Sequence, residues 1–203
     1  MIKDDILSER LSQTNPSPRI MGDDGEPIFQ IRSENIDSGL RGVPVGTCQT
    51  SFVDPLDGVH YVGYPVEDLV DLEEEDVIYL LFNKRLPTEE ESEAFRAELA
   101  HRAENMPTGA LRVLESLTPG SGHPMDWLSI GILALGASDT TGDLRTDAMN
   151  LIARMPELMA RIFLLRGGNM QETRDSRPQL GLVENFTHML GVDGDEAERM
   201  NRV

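Results

Sequence analysis

Four histidines, one cysteine and one arginine set between glycines are the residues of this 203-residue chain whose chemistry could matter most. His60, His101, His123 and His188 titrate nearest neutrality, yet no two of them stand at a ligand-pair spacing. HExxH and CxxC are both missing from the sequence, so no metal site is expected from local pattern. DGDEAE at 193–198 opens like a calcium loop, but Ala197 takes its fifth position; a solvated acidic helix face is expected instead. The glycines at 39, 42 and 46 match neither GxGxxG nor a phosphate loop, and GSG at 120–122 is no nucleophile elbow. His60 lies within a strand pattern, His123 precedes Pro124 at a helix start, and His101 and His188 fall in amphipathic segments. Each is expected to be structural. The acidic runs Glu73–Asp76 and Glu89–Glu91 read as helix first turns, where carboxylates complement the dipole. No catalytic residue is therefore expected within this sequence. Arg41 is the exception: its flanking glycines Gly39 and Gly42 let backbone approach a ligand, and a permanently charged planar guanidinium suits phosphate or carboxylate.

The elements that must hold these residues follow from periodicity and punctuation. Residues 1–36 are polar and broken by NPSP and DDGEP, with only a short alternation at IFQIR (28–32), and read as an arm. CQTSFVD and VHYVGY, rich in β-branched and aromatic residues and separated by PLDG, predict a small β-hairpin near 48–64. Beyond Tyr64 apolar residues recur at spacings of three and four, so the fold class is mainly α. Thr88 ahead of Glu89–Glu91, Pro107-Thr108 and His123-Pro124 mark helix starts, and TPGSG (118–122) separates two of the helices. Over 141–166, Pro156 should either kink one helix or begin a second, and Gly167-Gly168 should end it.

Thirty-nine percent hydrophobic residues fit a globular chain large enough to bury a core. WLSIGILALGA (127–137) falls short of the ~20 residues of a membrane span. The acidic N-terminus lacks a basic and then apolar leader, and cytoplasmic localisation is expected. A single cysteine, Cys48, excludes an intramolecular disulfide. The net charge of −18 argues against nucleic acid or an anionic membrane as partner. Only Lys3 and Lys84 are lysines among the 18 basic residues; salt adaptation and codon bias both account for this.

The order of the segments carries a further reading. GLRGVPVGTCQTSFVDPLDGVHYVGYPVEDL (39–69) resembles the N-terminal signature of the citrate synthase family. DVIYLLFNKRLPTEEE (76–91), GHPMDWLSIGILALG (122–136), NLIARMPELMARIF (150–163) and ENFTHMLG (184–191) are similar to later family segments in the same order. The resemblance implies a citrate synthase-like helical domain, with residues 37–203 as the N-terminal part of the large domain. It implies helical homodimers that condense acetyl-CoA, or a close acyl-CoA, with oxaloacetate by means of two histidines and an aspartate. In the family these follow the ENFTHMLG-like segment, so none of the four histidines here fills a catalytic role. The resemblance therefore implies a subunit of a split enzyme, completed in a dimeric or higher hetero-oligomer by a separate chain carrying the C-terminal catalytic half. A non-catalytic regulatory or acyl-CoA-binding paralogue and a truncated product are the alternatives. Arg41 matches an arginine that contacts a CoA phosphate in some members. His123 matches a position near an allosteric nucleotide site in others. Val62 stands where many relatives carry arginine.

Overall fold

The computed structural model of the chain describes residues 41, 48–169 and 174–201. The expected arm over 1–36 lies outside the described residues. The chain divides into two compact units, one of residues 1–72 with 80–86 and the other of 73–79 with 87–203.

In the first unit, β1 (Ser51–Asp54), β2 (Gly58–Tyr61) and β3 (Tyr64–Pro65) form an antiparallel sheet in the order β1-β2-β3. The hairpin expected near 48–64 is present, with a third short strand that the sequence pattern did not suggest. Asp54 closes the first turn: its Oδ1 accepts from the amides of Leu56 (2.7 Å) and Asp57 (3.0 Å), the local bonding that makes aspartate a turn former. Gly58 leaves the turn at φ 84°. The second turn is tighter. Val62 and Gly63 both take positive φ, 52° and 89°, as a two-residue loop between right-twisted strands requires, although a β-branched residue is costly there. Tyr64 and Leu69 are buried, whereas Phe52, Val53 and Leu56 stand largely in solvent.

Helix α1 (Glu74–Asn83) contributes residues to both units, and the second unit holds α2 (Glu89–Ala103), α3 (Thr108–Glu115), α4 (Pro124–Asp139), α5 (Leu144–Gly167), α6 (Leu182–Met189) and α7 (Asp195–Met200). Their starts are written locally. Thr88 and Glu91 form a reciprocal capping box on α2, with Glu91 N donating to Thr88 Oγ1 (3.3 Å) and Thr88 N to Glu91 Oε2 (2.9 Å). Asp143 Oδ2 accepts from Thr146 N (2.8 Å) to start α5. Gly168, left-handed at φ 75°, ends it and returns its amide to the carbonyls of Leu164 and Leu165. Pro156 neither begins a second helix nor divides this one: Leu144–Gly167 runs as a single helix with Pro156 buried inside. Proline removes one backbone bond of α5, and the apolar packing around that position offsets the loss.

The core of this unit joins α3, α4 and α5 through Ala110, Leu114, Trp127, Leu135, Leu158, Ile162 and Leu165. The approach of α4 to α5 depends on Gly131, where a Cβ would lie 2.8 Å from Leu158 Cδ1. Leu158 itself has no exposed surface. Tyr79 meets Phe95 edge to face, with ring centroids 5.4 Å apart, so α1 is held to α2 by an aromatic contact.

Leu158→Ala should destabilise the second unit by about 2–5 kcal/mol through lost burial and a residual cavity, read as a lower urea midpoint of the helical circular dichroism. Val62→Asn should do the reverse in the first unit. Asparagine tolerates the left-handed region, so relief of about 1 kcal/mol of backbone strain is expected, measured as slower hydrogen exchange of the Ser51–Tyr61 amides.

Candidate functional site

Each histidine is placed by a different element. His123 is the N-cap of α4: its Nδ1 accepts from Met125 N (3.2 Å), while Asp126 Oδ2 accepts from His123 N (3.0 Å). His123 thus spends its Nδ1 lone pair on the helix end. His101 lies on the exposed face of α2, its Nδ1 3.5 Å from a Glu104 carboxylate oxygen. His60 sits opposite Phe52 in the sheet, ring centroids 6.3 Å apart, with its Nδ1 buried and without a hydrogen-bond partner. His188, half-buried on α6, lines a shallow depression with Arg174, Asp175 and Arg177. The wall of that depression is fixed by Arg174, whose guanidinium donates to both carboxylate oxygens of Asp193 (2.7 and 2.5 Å) and to the Gly191 carbonyl (3.2 Å). Asp193 is thereby held below the usual carboxylate range, chiefly by the hydrogen bond from Arg174. The calcium-loop resemblance at 193–198 thus resolves into one ion-paired aspartate and the solvated first turn of α7.

Arg41 is exposed in a turn; residues 42–47, which complete its glycine frame, lie outside the described residues.

Two side chains that sequence reasoning treated as incidental acquire definite roles. Glu75, read only as a dipole-complementing first-turn acid, is 3% exposed, and its Oε1 accepts from Leu182 N at 2.8 Å. It supplies the N-terminal acceptor that α6 lacks, because the N-cap there is Gly181 with no side chain to offer. Beside it Asp76 accepts from Ser92 Oγ (2.5 Å) and faces Arg96 (3.6 Å). Glu73, Glu74 and Glu75 bring carboxylate oxygens within 4.8 Å of one another. Burial, reinforced by the charges of Glu75, Glu73 and Glu184, pushes the Glu74 carboxyl up. Glu75 is already committed to the α6 amide.

Cys48 is the second. It is exposed, with Sγ 3.4 Å from Thr50 Oγ1 and 3.3 Å from Ser51 Oγ. Hydroxyl donation, from Ser51 most and then Thr50, lowers the thiol to about 6. The signal was present in the string Cys-Gln-Thr-Ser; what the sequence lacked was the turn that folds the two hydroxyls back on the sulfur.

A polar relay ties three helices together. Arg102 on α2 donates to Glu98 (2.7 Å) and to Asn150 Oδ1 on α5 (2.6 Å), and Asn150 reaches Asp139 Oδ2 at the end of α4 (3.5 Å). Asp139 also pairs with the buried Arg154. A buried arginine needs such a partner, since an unpaired charge there would cost several kcal/mol.

The relay and the α3–α5 core are held in a helical arrangement that other proteins share. The family model described as citrate synthase, C-terminal domain, matches residues 39–203. This chain belongs to the citrate synthase family. The citrate synthase of Haloferax volcanii is 35% identical over 176 residues, which cover 81% of this chain and 45% of that protein. That of Synechocystis sp. is 32% identical over 166 residues, with 78% and 41% covered. The crystal structure of citrate synthase from Thermotoga maritima superposes with a TM-score of 0.68 at 28% identity, covering 82% of this chain and 44% of that one. The chain spans less than half the length of the relatives it matches. The mainly α fold expected from sequence is therefore that of the family. Among the described residues no helix is long and apolar enough to cross a membrane.

Because a thiolate, not a thiol, attacks an alkylating agent, the Cys48 labelling rate should rise with pH through a midpoint of about 6. Ser51→Ala should move that midpoint up toward the ordinary ~8.5. Mass-spectrometric iodoacetamide rates between acidic and mildly basic pH measure both.

Proposed function

We propose that this chain is one component of a citrate synthase-type enzyme condensing acetyl-CoA, or a related acyl-CoA, with oxaloacetate, and that a separate chain supplies the catalytic histidines and aspartate. The observation that supports this most is the employment of the four histidines. One caps a helix, one lies on a solvated helix face, one faces a phenylalanine across a small sheet and one lines an arginine-bordered depression. Enolising a thioester methyl requires a carboxylate base close to the substrate carbon and a donor aimed at the developing enolate oxygen. None of these four positions supplies that pair.

What this chain contributes under the proposal is scaffold and charge. Arg41, exposed in its turn, meets a phosphate of coenzyme A. A chain of net charge −18 repels so anionic a substrate on average, and a permanent cation at the entry focuses the local field. The relay from Glu98 to Arg154 fixes α2, α4 and α5 against one another, the rigid platform on which a partner's residues can be placed precisely.

The test is free-thiol release from acetyl-CoA and oxaloacetate by the purified chain, alone and together with a chain carrying the remaining motifs of the family. The expected result is no turnover alone and turnover with the partner. In the complex, Arg41→Ala should raise the KM for acyl-CoA about tenfold, the loss of one charge-assisted hydrogen bond, and leave the KM for oxaloacetate unchanged. Turnover by the isolated chain would overturn the proposal. Acyl-CoA binding without turnover in any combination would instead identify a non-catalytic acyl-CoA-binding relative.

A further inference from the structure

The sheet of the first unit ends on β1, which has β2 as its only neighbouring strand among the described residues. The register decides what that free edge presents. Val62 N donates to Thr50 O (3.0 Å), and the pairing continues with Ser51 opposite Tyr61, Phe52 opposite His60, Val53 opposite Val59 and Asp54 opposite Gly58. Hydrogen-bonded and non-bonded pairs alternate along an antiparallel ladder, so Phe52 and Asp54 spend their backbone groups on β2. The N–H and C=O groups of Ser51 and Val53 point away from the sheet. Both faces beside them are open as well: Phe52 is 62% exposed and Val53, on the opposite face, 67%.

Such an edge is a template for another strand, and proteins usually blunt it with lysine, proline, a bulge or a covering element. β1 contains neither lysine nor proline, and its one charge stands at its last residue, Asp54. Pro55 follows and limits the open stretch to these four residues. The charge around the edge has a single sign. Residues 48–72 hold the carboxylates of Asp54, Asp57, Glu67, Asp68 and Asp71 and no lysine or arginine. All but Asp54 are exposed. The amides of Asp57 and Leu56 hold the Asp54 carboxyl below its usual range, so it stays charged near neutrality.

We propose that β1 is a docking edge for an extended basic segment of another protein, which adds as a fourth strand beside Ser51–Asp54. The outward backbone groups of Ser51 and Val53 pair with the segment, Phe52 and Val53 meet its side chains on the two faces, and the carboxylates select lysine and arginine at its flanks. Two competitors are disfavoured by the same charges. An acidic segment is repelled, and a second copy of this chain would bring its own Asp54 and Asp57 to the seam. The edge offers two N–H and two C=O groups, so the association is weak and reversible. The inference goes beyond the enzyme proposal and does not require it.

The test uses the whole chain with three labelled peptides of about nine residues, in which valine alternates with lysine, with serine or with glutamate. Fluorescence anisotropy should show the valine–lysine peptide binding about tenfold or more tightly than the valine–serine peptide, and no binding of the valine–glutamate peptide. The affinity should fall as salt rises from ~0.05 M to ~0.5 M. Bound peptide should slow amide exchange of Ser51 and Val53 about tenfold, as a new hydrogen bond does, and leave Phe52, already bonded to β2, unchanged. Val53→Pro removes one outward donor without touching a bond to β2, and should weaken binding about tenfold. Val53→Thr keeps both the donor and the β-branch, and should bind as the wild type does. No binding of the valine–lysine peptide at ~1 mM, equal binding of the valine–glutamate peptide, or binding that leaves Ser51 and Val53 unprotected would each overturn the proposal. Self-association of the free chain that Val53→Pro abolishes would assign the edge to a second copy and overturn it too. None of these readouts involves turnover, so their failure is distinct from failure of the enzyme proposal.

Discussion

The closeness of α4 and α5 at Gly131 and Leu158 is the constraint from which the rest of the second unit follows. Any side chain at 131 would push the two longest helices apart, because Leu158 is wholly enclosed and has nowhere to retreat. With the helices at that distance, Trp127 and Leu135 reach the same apolar cluster as Ile162 and Leu165, and α3 closes it with Ala110 and Leu114. The same contact turns the opposite side of α4 outward. The core-facing side of α4 depends on that one glycine; the lack of charge on its outer face is written in the sequence.

Polar groups hold the periphery of this core in a complementary way. Glu75 and Leu182 are 107 residues apart in sequence, and their hydrogen bond brings the first turn of α1 to the start of α6. Gly181 makes the bond possible twice over. It takes φ 92°, and a Cβ there would lie 3.1 Å from the Glu75 carboxylate. The Arg102–Asn150–Asp139–Arg154 relay plays the equivalent part among α2, α4 and α5. Such buried networks specify arrangement more than they add net stability, since desolvation offsets most of their attraction. They explain how a chain with twice as many acids as bases still places charged groups inside.

His123 is committed to a helix cap, His101 lies on a solvated helix face, His60 faces Phe52 across the sheet and His188 borders a depression. A thiol lowered by neighbouring hydroxyls and an exposed arginine lie in the described part of the first unit, ahead of its hairpin.

By itself the sequence determined the class of the fold and most of its boundaries. Helical spacing, Thr88 with Glu91, His123-Pro124 and Gly168 act within a few residues of one another, so local chemistry suffices to place them. It also determined the turn at Asp54–Gly58 and, through the order of its segments, the family. Tertiary structure alone decided that α5 runs unbroken through Pro156, since the apolar surroundings that offset a lost backbone bond come from other helices. It decided as well that Glu75 caps a helix 107 residues away and that Ser51 and Thr50 turn back on Cys48. The sequence named those residues as a dipole-favouring acid and a lone cysteine; their roles depend on partners and turns in space, which no spacing rule encodes.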